Sequence, residues 1–360
     1  MKITVTGLYG AGSSAVFDLL EEFSCNSSGL KDERAYEHTA LYFPGGLFDL
    51  EDKLLLCNDL HRSDEAIATF LREMKRLDKN NFGWFGSFRD LFGNDFWKIV
   101  QELIDDLQVY DIRSNYYGQY QGVRFSIVKV FLQLGAALLQ KRKIYKWGRL
   151  YRKKPWVPRM RTAFPSEKEF YQASTKFVNA YMSLFDDGKH KNVIFDRLLL
   201  CQHLYRMPRY FGQDFRVIAV KRDIRDAYIL NKYIWPGMHL TGMYPKDLHE
   251  FVRYWKHMTA NIRQIQDDRI LSIWFEDLIY NYEETAGRIM SLCGLTSREH
   301  TDKGRYFQPE RSIYNTQVYR GHPQWQREIK YLEKELPEYI YPFPYQVHSR
   351  LDRMFDDSRI

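Results

Sequence analysis

Cysteine is scarce in this 360-residue sequence: Cys25, Cys57, Cys201 and Cys293 stand far apart, with no C-x-x-C and no H-E-x-x-H. That excludes a disulfide framework and the common zinc spacings, so free thiols and no tightly held metal are expected. No apolar run reaches the length of about 18 residues that a spanning helix needs. A strand pattern begins at residue 2 with no signal-peptide pattern before it, which makes the cytoplasm the expected location. Repeats and low-complexity tracts are absent as well. Acidic residues are missing from one stretch. Between Ile112 and Arg161 there are 13 Lys and Arg and no Asp or Glu, leaving 40 basic against 46 acidic residues elsewhere, so this stretch alone makes the net charge +7.

Within that stretch "FSIVKVFLQLGAALLQ" is apolar enough for a helix, and "KRKIYKWGRLYRKKPWVPRMR" then interleaves aromatic rings with cations. Residues 113–161 have the chemistry to make peripheral contact with an acidic glycan or an anionic membrane surface, both favoured over nucleic acid. A solvated basic face on an ordinary insertion explains the same residues.

What is present elsewhere is an alternation of strand and helix patterns. "KITVT", "NVIFD", "FRVIAVKRD" and "RILSIWFEDL" read as strands that end in glycine or charge, and each is followed by helical periodicity. Gly294 stands where a helix C-terminal cap belongs. This pattern predicts an α/β fold with a central, mostly parallel sheet covered on both faces by helices, a three-layer arrangement. The 360 residues suffice for a single domain, with residues 80–165 as a helical basic and aromatic insertion. Ligands in such sheets bind at the carboxyl ends of the strands, which places Gly10 to Ser14, Asp196, Arg197, Arg222, Glu276 and Asp277 on one edge.

The first strand runs into "GLYGAGSSAV". Gly7, Gly12, Ser13 and Ser14 reproduce G-x-x-x-x-G-K-[ST] except that serine replaces lysine, and Gly10, Gly12 and Ala15 also satisfy G-x-G-x-x-A. Strand, glycine loop and helix in this order make an anion site: loop amides converge and the helix adds unpaired N–H groups at its positive end. Ser13 and Ser14 serve as hydroxyl donors, as N-caps of a helix over 14–23, or as both.

With "GLYGAGSSAV" at one strand exit and "VIAVKRDIRDAYIL" at a later one, the chain resembles the sulfotransferases that use 3'-phosphoadenosine 5'-phosphosulfate (PAPS). "IWFEDLIYNYEETAGRIMSLCGL" and "FQPERSIYNTQVYRGHPQWQREIKYLEKEL" are similar to the E-D-L segment and the C-terminal tail of bacterial members. The resemblance covers roughly residues 2–60 and 170–340. It implies a P-loop-like fold, PAPS as co-substrate without a metal, and a small-molecule or glycan acceptor. It also implies that Gly10, Ala11, Gly12, Ser13 and Ser14 cradle the 5'-phosphosulfate and that Arg222 binds the 3'-phosphate. Arg225 and Asp226 are expected to pair and cap the following helix, and Asp277 to cap its own.

For the base that activates the acceptor hydroxyl, the resemblance points to Glu37, with His38 beside it as the alternative and His61 and His203 as weaker candidates. Many animal-type members carry a loop lysine where Gly10 stands, so another cation must meet the charge on the leaving phosphate: Arg197 first, then Lys221. Leu230 occupies the place of a second 3'-phosphate ligand, for which Arg320, Ser312 and Asn315 are replacements. Three other readings compete. A P-loop nucleotide kinase or NTPase lacks the lysine and a clear acidic partner for Ser14; a non-enzymatic module would use the basic stretch alone; a Rossmann oxidoreductase lacks the ribose-binding acid.

Overall fold

The computed structural model describes residues 1–28, 38–79, 81–82, 85–113, 159–238 and 242–347. Glu37 and residues 114–158 of the basic stretch lie outside the described residues. The chain divides into two compact units, one of Met1–His38 with Val178–Ile360 and one of Thr39–Phe177.

The first unit is built on five strands: β1 (Lys2–Gly7), β2 (Asn26–Ser27), β3 (Asn192–Asp196), β4 (Phe215–Lys221) and β5 (Ile270–Trp274). They lie in the order β2-β3-β1-β4-β5 and every pair is parallel. Residues 3 to 6 of β1 are all buried, so the strand is covered on both faces and tolerates apolar or β-branched residues at consecutive positions. Ile3, Val5, Ile194, Ile218, Val220 and Ile273 face one way. They form a core with Val16, Phe17, Leu19 and Leu20 of helix α1 (Ser13–Glu21) and with residues of a helix over Tyr282–Cys293. Phe195 faces the other way, its ring centroid 5.8 Å from that of Phe185 and 5.4 Å from that of His38. The expected central parallel sheet with helices on both faces is therefore present.

Beyond the sheet, helix α2 (Ile224–Ile229), helix α3 (Leu248–Ala260) and a helix over Gln326–Glu335 share a second core that includes Tyr228, Phe251, Trp255, Ile329 and Leu332. Gly294 ends the helix over Tyr282–Cys293 at φ +55°, as its position in the sequence predicts.

In the second unit, the helix Leu60–Lys79 buries Ala66, Ile67, Phe70, Met74 and Leu77 at helical spacing. The helix Asp95–Asp106 buries Phe96, Ile99, Val100 and Leu103. Residues Tyr110–Arg113 pair antiparallel with Arg159–Thr162, so a two-stranded ribbon brackets the basic stretch. Ser63 ties the helix to the chain after this ribbon, its Oγ donating to the Ala163 carbonyl at 3.0 Å and accepting the Ala163 N–H at 2.7 Å. Among the described residues no helix is long and apolar enough to cross a membrane, and no group of three His, Cys, Asp or Glu is placed to hold a metal ion.

Candidate anion site at the carboxyl edge of the sheet

β1 lies between β3 and β4, and the chain leaves it toward β2 on one side while β4 lies on the other. The strand order reverses here, which opens a crevice outside the carboxyl ends. The loop Gly7–Gly12 fills that position. Gly10 and Gly12 adopt φ +80° and +81°, conformations that side chains disfavour. Space forbids a side chain as well: a Cβ on Gly10 would lie 2.5 Å from the Trp235 ring, and one on Gly12 would lie 2.6 Å from the Phe275 ring. Ala11 is buried and its N–H turns back to the Leu8 carbonyl at 2.9 Å.

Gly12 itself is the N-cap of α1, with no side chain capping it. This corrects the expectation that Ser13 or Ser14 caps the helix, and it moves the helix start to Ser13. Both serines sit in the first turn, Ser13 half-buried and Ser14 exposed. Among the described residues no acceptor meets the N–H groups of Gly12, Ser13 and Ser14, while the N–H of Ala15 reaches the Gly12 carbonyl at 3.2 Å. Three donors and two hydroxyls at the positive end of a helix suit a small anion.

Arg222 follows β4 and is buried against the loop. Its Nη1 donates to the Gly10 carbonyl at 3.1 Å, its Nη2 donates to the Asn315 carbonyl, and its guanidinium lies 4.9 Å from the centre of the Phe275 ring. Arg222 thus joins the loop to the C-terminal segment, and Asn315 takes part through its backbone. Of the five N–H donors of the guanidinium, two are spent on these carbonyls, and the buried Nε has no partner among the described residues.

The following turn departs from the sequence expectation. Asp223, not Asp226, caps α2 by accepting the Arg225 N–H, and it holds the Arg225 guanidinium at 2.7 and 3.0 Å. Asp226 accepts the N–H groups of Gln317 at 2.7 Å and Tyr319 at 3.1 Å, so its carboxylate anchors the C-terminal segment. Gln317 sits there at φ +52°, fully buried, with its side chain on Tyr280 and Tyr345. Asp277 accepts the Tyr341 hydroxyl at 2.9 Å instead of capping; Glu276 precedes the short helix Asp277–Tyr280. Burial and the nearby Asp223 push the carboxyl of Asp226 up to about 7.

Arg197 leaves β3 at φ +53°, its N–H on the Val5 carbonyl at 2.8 Å and its Nε 3.4 Å from Asp196. Its φ is unusual for a side-chain-bearing residue, and such strain collects at functional sites. Lys221 is exposed at the end of β4. Arg320 is exposed and lies 5.3 Å from the centre of the Tyr319 ring. Leu230 is fully buried and Ser312 is half-buried. His38 is sealed from solvent, with Nδ1 3.0 Å from the Tyr181 hydroxyl and Nε2 without a partner among the described residues. Burial first, and Arg197 second, hold its pKa down at about 3, so the imidazole stays neutral. His203 is half-buried in a 3₁₀ turn over Cys201–Arg206, and His61 is exposed on a helix of the other unit.

Sequence reasoning passed over Trp235 and Phe275, the rings behind the two loop glycines. The phrase "WFEDL" did carry a signal for the second, because the residue before Glu276 leaves β5 at the same edge as the loop.

The sequence matches no known family model and no curated protein. Among solved structures, the fold is similar to a crystal structure of a sulfotransferase from Mycobacterium avium. The TM-score is 0.38 and the identity 12%, over 97% of this chain and 78% of that one. At that score the likeness carries no functional argument.

Proposed function

We propose that the chain is a sulfotransferase that moves a sulfuryl group from PAPS to a hydroxyl, or an amine, of a glycan, a lipid-linked saccharide or another alcohol. One observation carries this reading: among the described residues the N–H groups of Gly12, Ser13 and Ser14 have no acceptor at the start of α1, in a loop whose serine stands where a triphosphate loop has lysine. A triphosphate carries about four negative charges and brings Mg²⁺, whereas a phosphosulfate carries about two and needs no metal, which amides and hydroxyls meet.

When bound, the co-substrate supplies the sulfuryl group: the acceptor oxygen bonds to sulfur as the bridging S–O bond breaks, and adenosine 3',5'-bisphosphate leaves. The loop residues Gly10 to Ser14 would hold the phosphosulfate. Arg222 would offer a terminal phosphate the N–H hydrogens not spent on Gly10 and Asn315, with Arg320 as a second, exposed cation. Arg197 would meet the charge that grows on the leaving phosphate, and Glu37 would take the acceptor proton. Glu37 is preferred to His38 because His38 is sealed and held by Tyr181. The basic stretch 113–161 suits an acidic acceptor or an anionic surface that carries it.

A kinase or NTPase reading keeps one observation. Asp196 ends β3 opposite Val5 of β1, where an acid would have to stand to help Ser14 with a metal, but it pairs with Arg197.

Radiolabelled PAPS offered with a panel of glycans, lipid-linked saccharides and alcohols tests the proposal. Label should pass to one class, and Glu37→Gln should slow turnover by about 100-fold or more while nucleotide binding persists. Magnesium-dependent transfer from ATP, with none from PAPS, would reassign the loop to phosphoryl transfer.

A further inference from the structure

Three carboxyl groups, of Asp223, Asp226 and Glu276, are sealed from solvent where the turn after β4 meets the end of β5. Two of them are well met. Asp223 is held by the Arg225 guanidinium and also accepts the N–H groups of Arg225 and Tyr341, and Asp226 accepts those of Gln317 and Tyr319. Glu276 is not: its Oε1 accepts the Asp223 N–H at 2.9 Å, while its Oε2 is buried and has no partner among the described residues.

A carboxylate is an acceptor with about four lone-pair sites, and a bare buried charge costs far more than the neutral acid. The surroundings add to that cost. Asp223 and Asp226 add like charge where they are ionised, Asp277 follows directly, the Tyr341 phenol is nearby, and the cations at the cluster are Arg222 and Arg225. Burial first and Asp223 second push Glu276 up to about 8.

We propose that Glu276 is kept as a neutral acid and acts as a positioning residue. Its Oε1 fixes the Asp223 N–H, and with it the turn that aims Arg222 at the Gly10 and Asn315 carbonyls, without placing a third negative charge beside that guanidinium. Ionisation of Glu276 draws Arg222 away from the loop and repels an incoming anion, so it weakens the site. The binding consequence rests on the proposed reading of the loop; the location of the proton does not.

Affinity for adenosine 3',5'-bisphosphate, measured by calorimetry from about pH 6 to about pH 9 on the full chain, tests this in the wild type and in Glu276→Gln. The wild type should weaken about tenfold as pH rises through about 8, whereas Glu276→Gln, a neutral isostere, should match it at low pH and show no weakening centred near 8, keeping only what Asp226 contributes near 7. Parallel profiles would assign the titration to Asp226 or elsewhere and overturn the proposal. Urea midpoints over the same range give a readout without ligand. The folded state keeps a proton that the unfolded chain releases near 4.5, so wild-type stability should fall as pH rises from 4.5 through about 8. Asp226, held up at about 7, adds a fall of its own below that pH in both proteins, so Glu276→Gln should fall less overall and should lack the part between about 7 and about 8; an equal fall would sink the idea. Absence of binding at every pH in both proteins would refute the reading of the loop, and the urea series would still decide the state of Glu276.

Discussion

Gly12, like Gly10, is constrained both by its backbone conformation and by the ring packed behind it. Its φ of +81° and the Phe275 ring 2.6 Å from where a Cβ would sit make alanine costly on two counts. Gly12→Ala should lower stability by about 2 kcal/mol or more, read as a reduced urea midpoint with unchanged slope, because strain and a steric clash both act in the folded state. Anion binding should fall with it, since the same substitution tilts the first turn of α1. The glycines were legible in the sequence because a left-handed turn and an anion-binding helix start are properties of a few adjacent residues. Arg222 was legible as a cation at a strand end. Its two carbonyl partners were not, because they lie 212 and 93 residues away in sequence and are backbone atoms, which carry no residue-type signal.

Among the elements, α1 is held at both ends by groups remote in the chain. At its far end Glu22 is fully buried. It accepts His300 Nε2 at 2.7 Å, the Tyr306 N–H at 2.9 Å and the Phe307 N–H at 2.8 Å, and the Phe23 and His300 rings stack at 4.2 Å. Glu22→Ala strips three donors of their acceptor and should cost about 3 kcal/mol or more. Limited proteolysis should then find residues 299–307 first; an unchanged cleavage pattern would show that the segment does not depend on Glu22. The strand and helix alternation predicted the parallel sheet correctly because apolar period and strand-end charge reflect burial directly. Caps were assigned less well: Asp223 took the role expected of Asp226, and Gly12 the role expected of the serines. In both cases neighbouring residues could all cap, and the choice was made by tertiary contacts such as the Asp226 anchor on Gln317 and Tyr319.

For the whole molecule, the uneven charge sets the physical setting of any reaction. Outside residues 112–161 the balance is 40 basic to 46 acidic, so attraction for anions is concentrated in that stretch and in the few cations along the carboxyl edge of the sheet. The two differ in kind. The basic stretch offers dispersed, salt-sensitive attraction, whereas the loop offers aligned amides, two hydroxyls and one buried guanidinium. The central claim concerns the second, that this edge binds a nucleotide carrying phosphate groups at both its 5' and 3' positions, without a metal. Titration calorimetry of the full chain with adenosine 3',5'-bisphosphate in the presence of a chelator tests it most directly. The account predicts one site, with Kd on the order of micromolar and unaffected by the chelator. No heat at millimolar nucleotide, or binding of ATP that appears only with Mg²⁺, would contradict it.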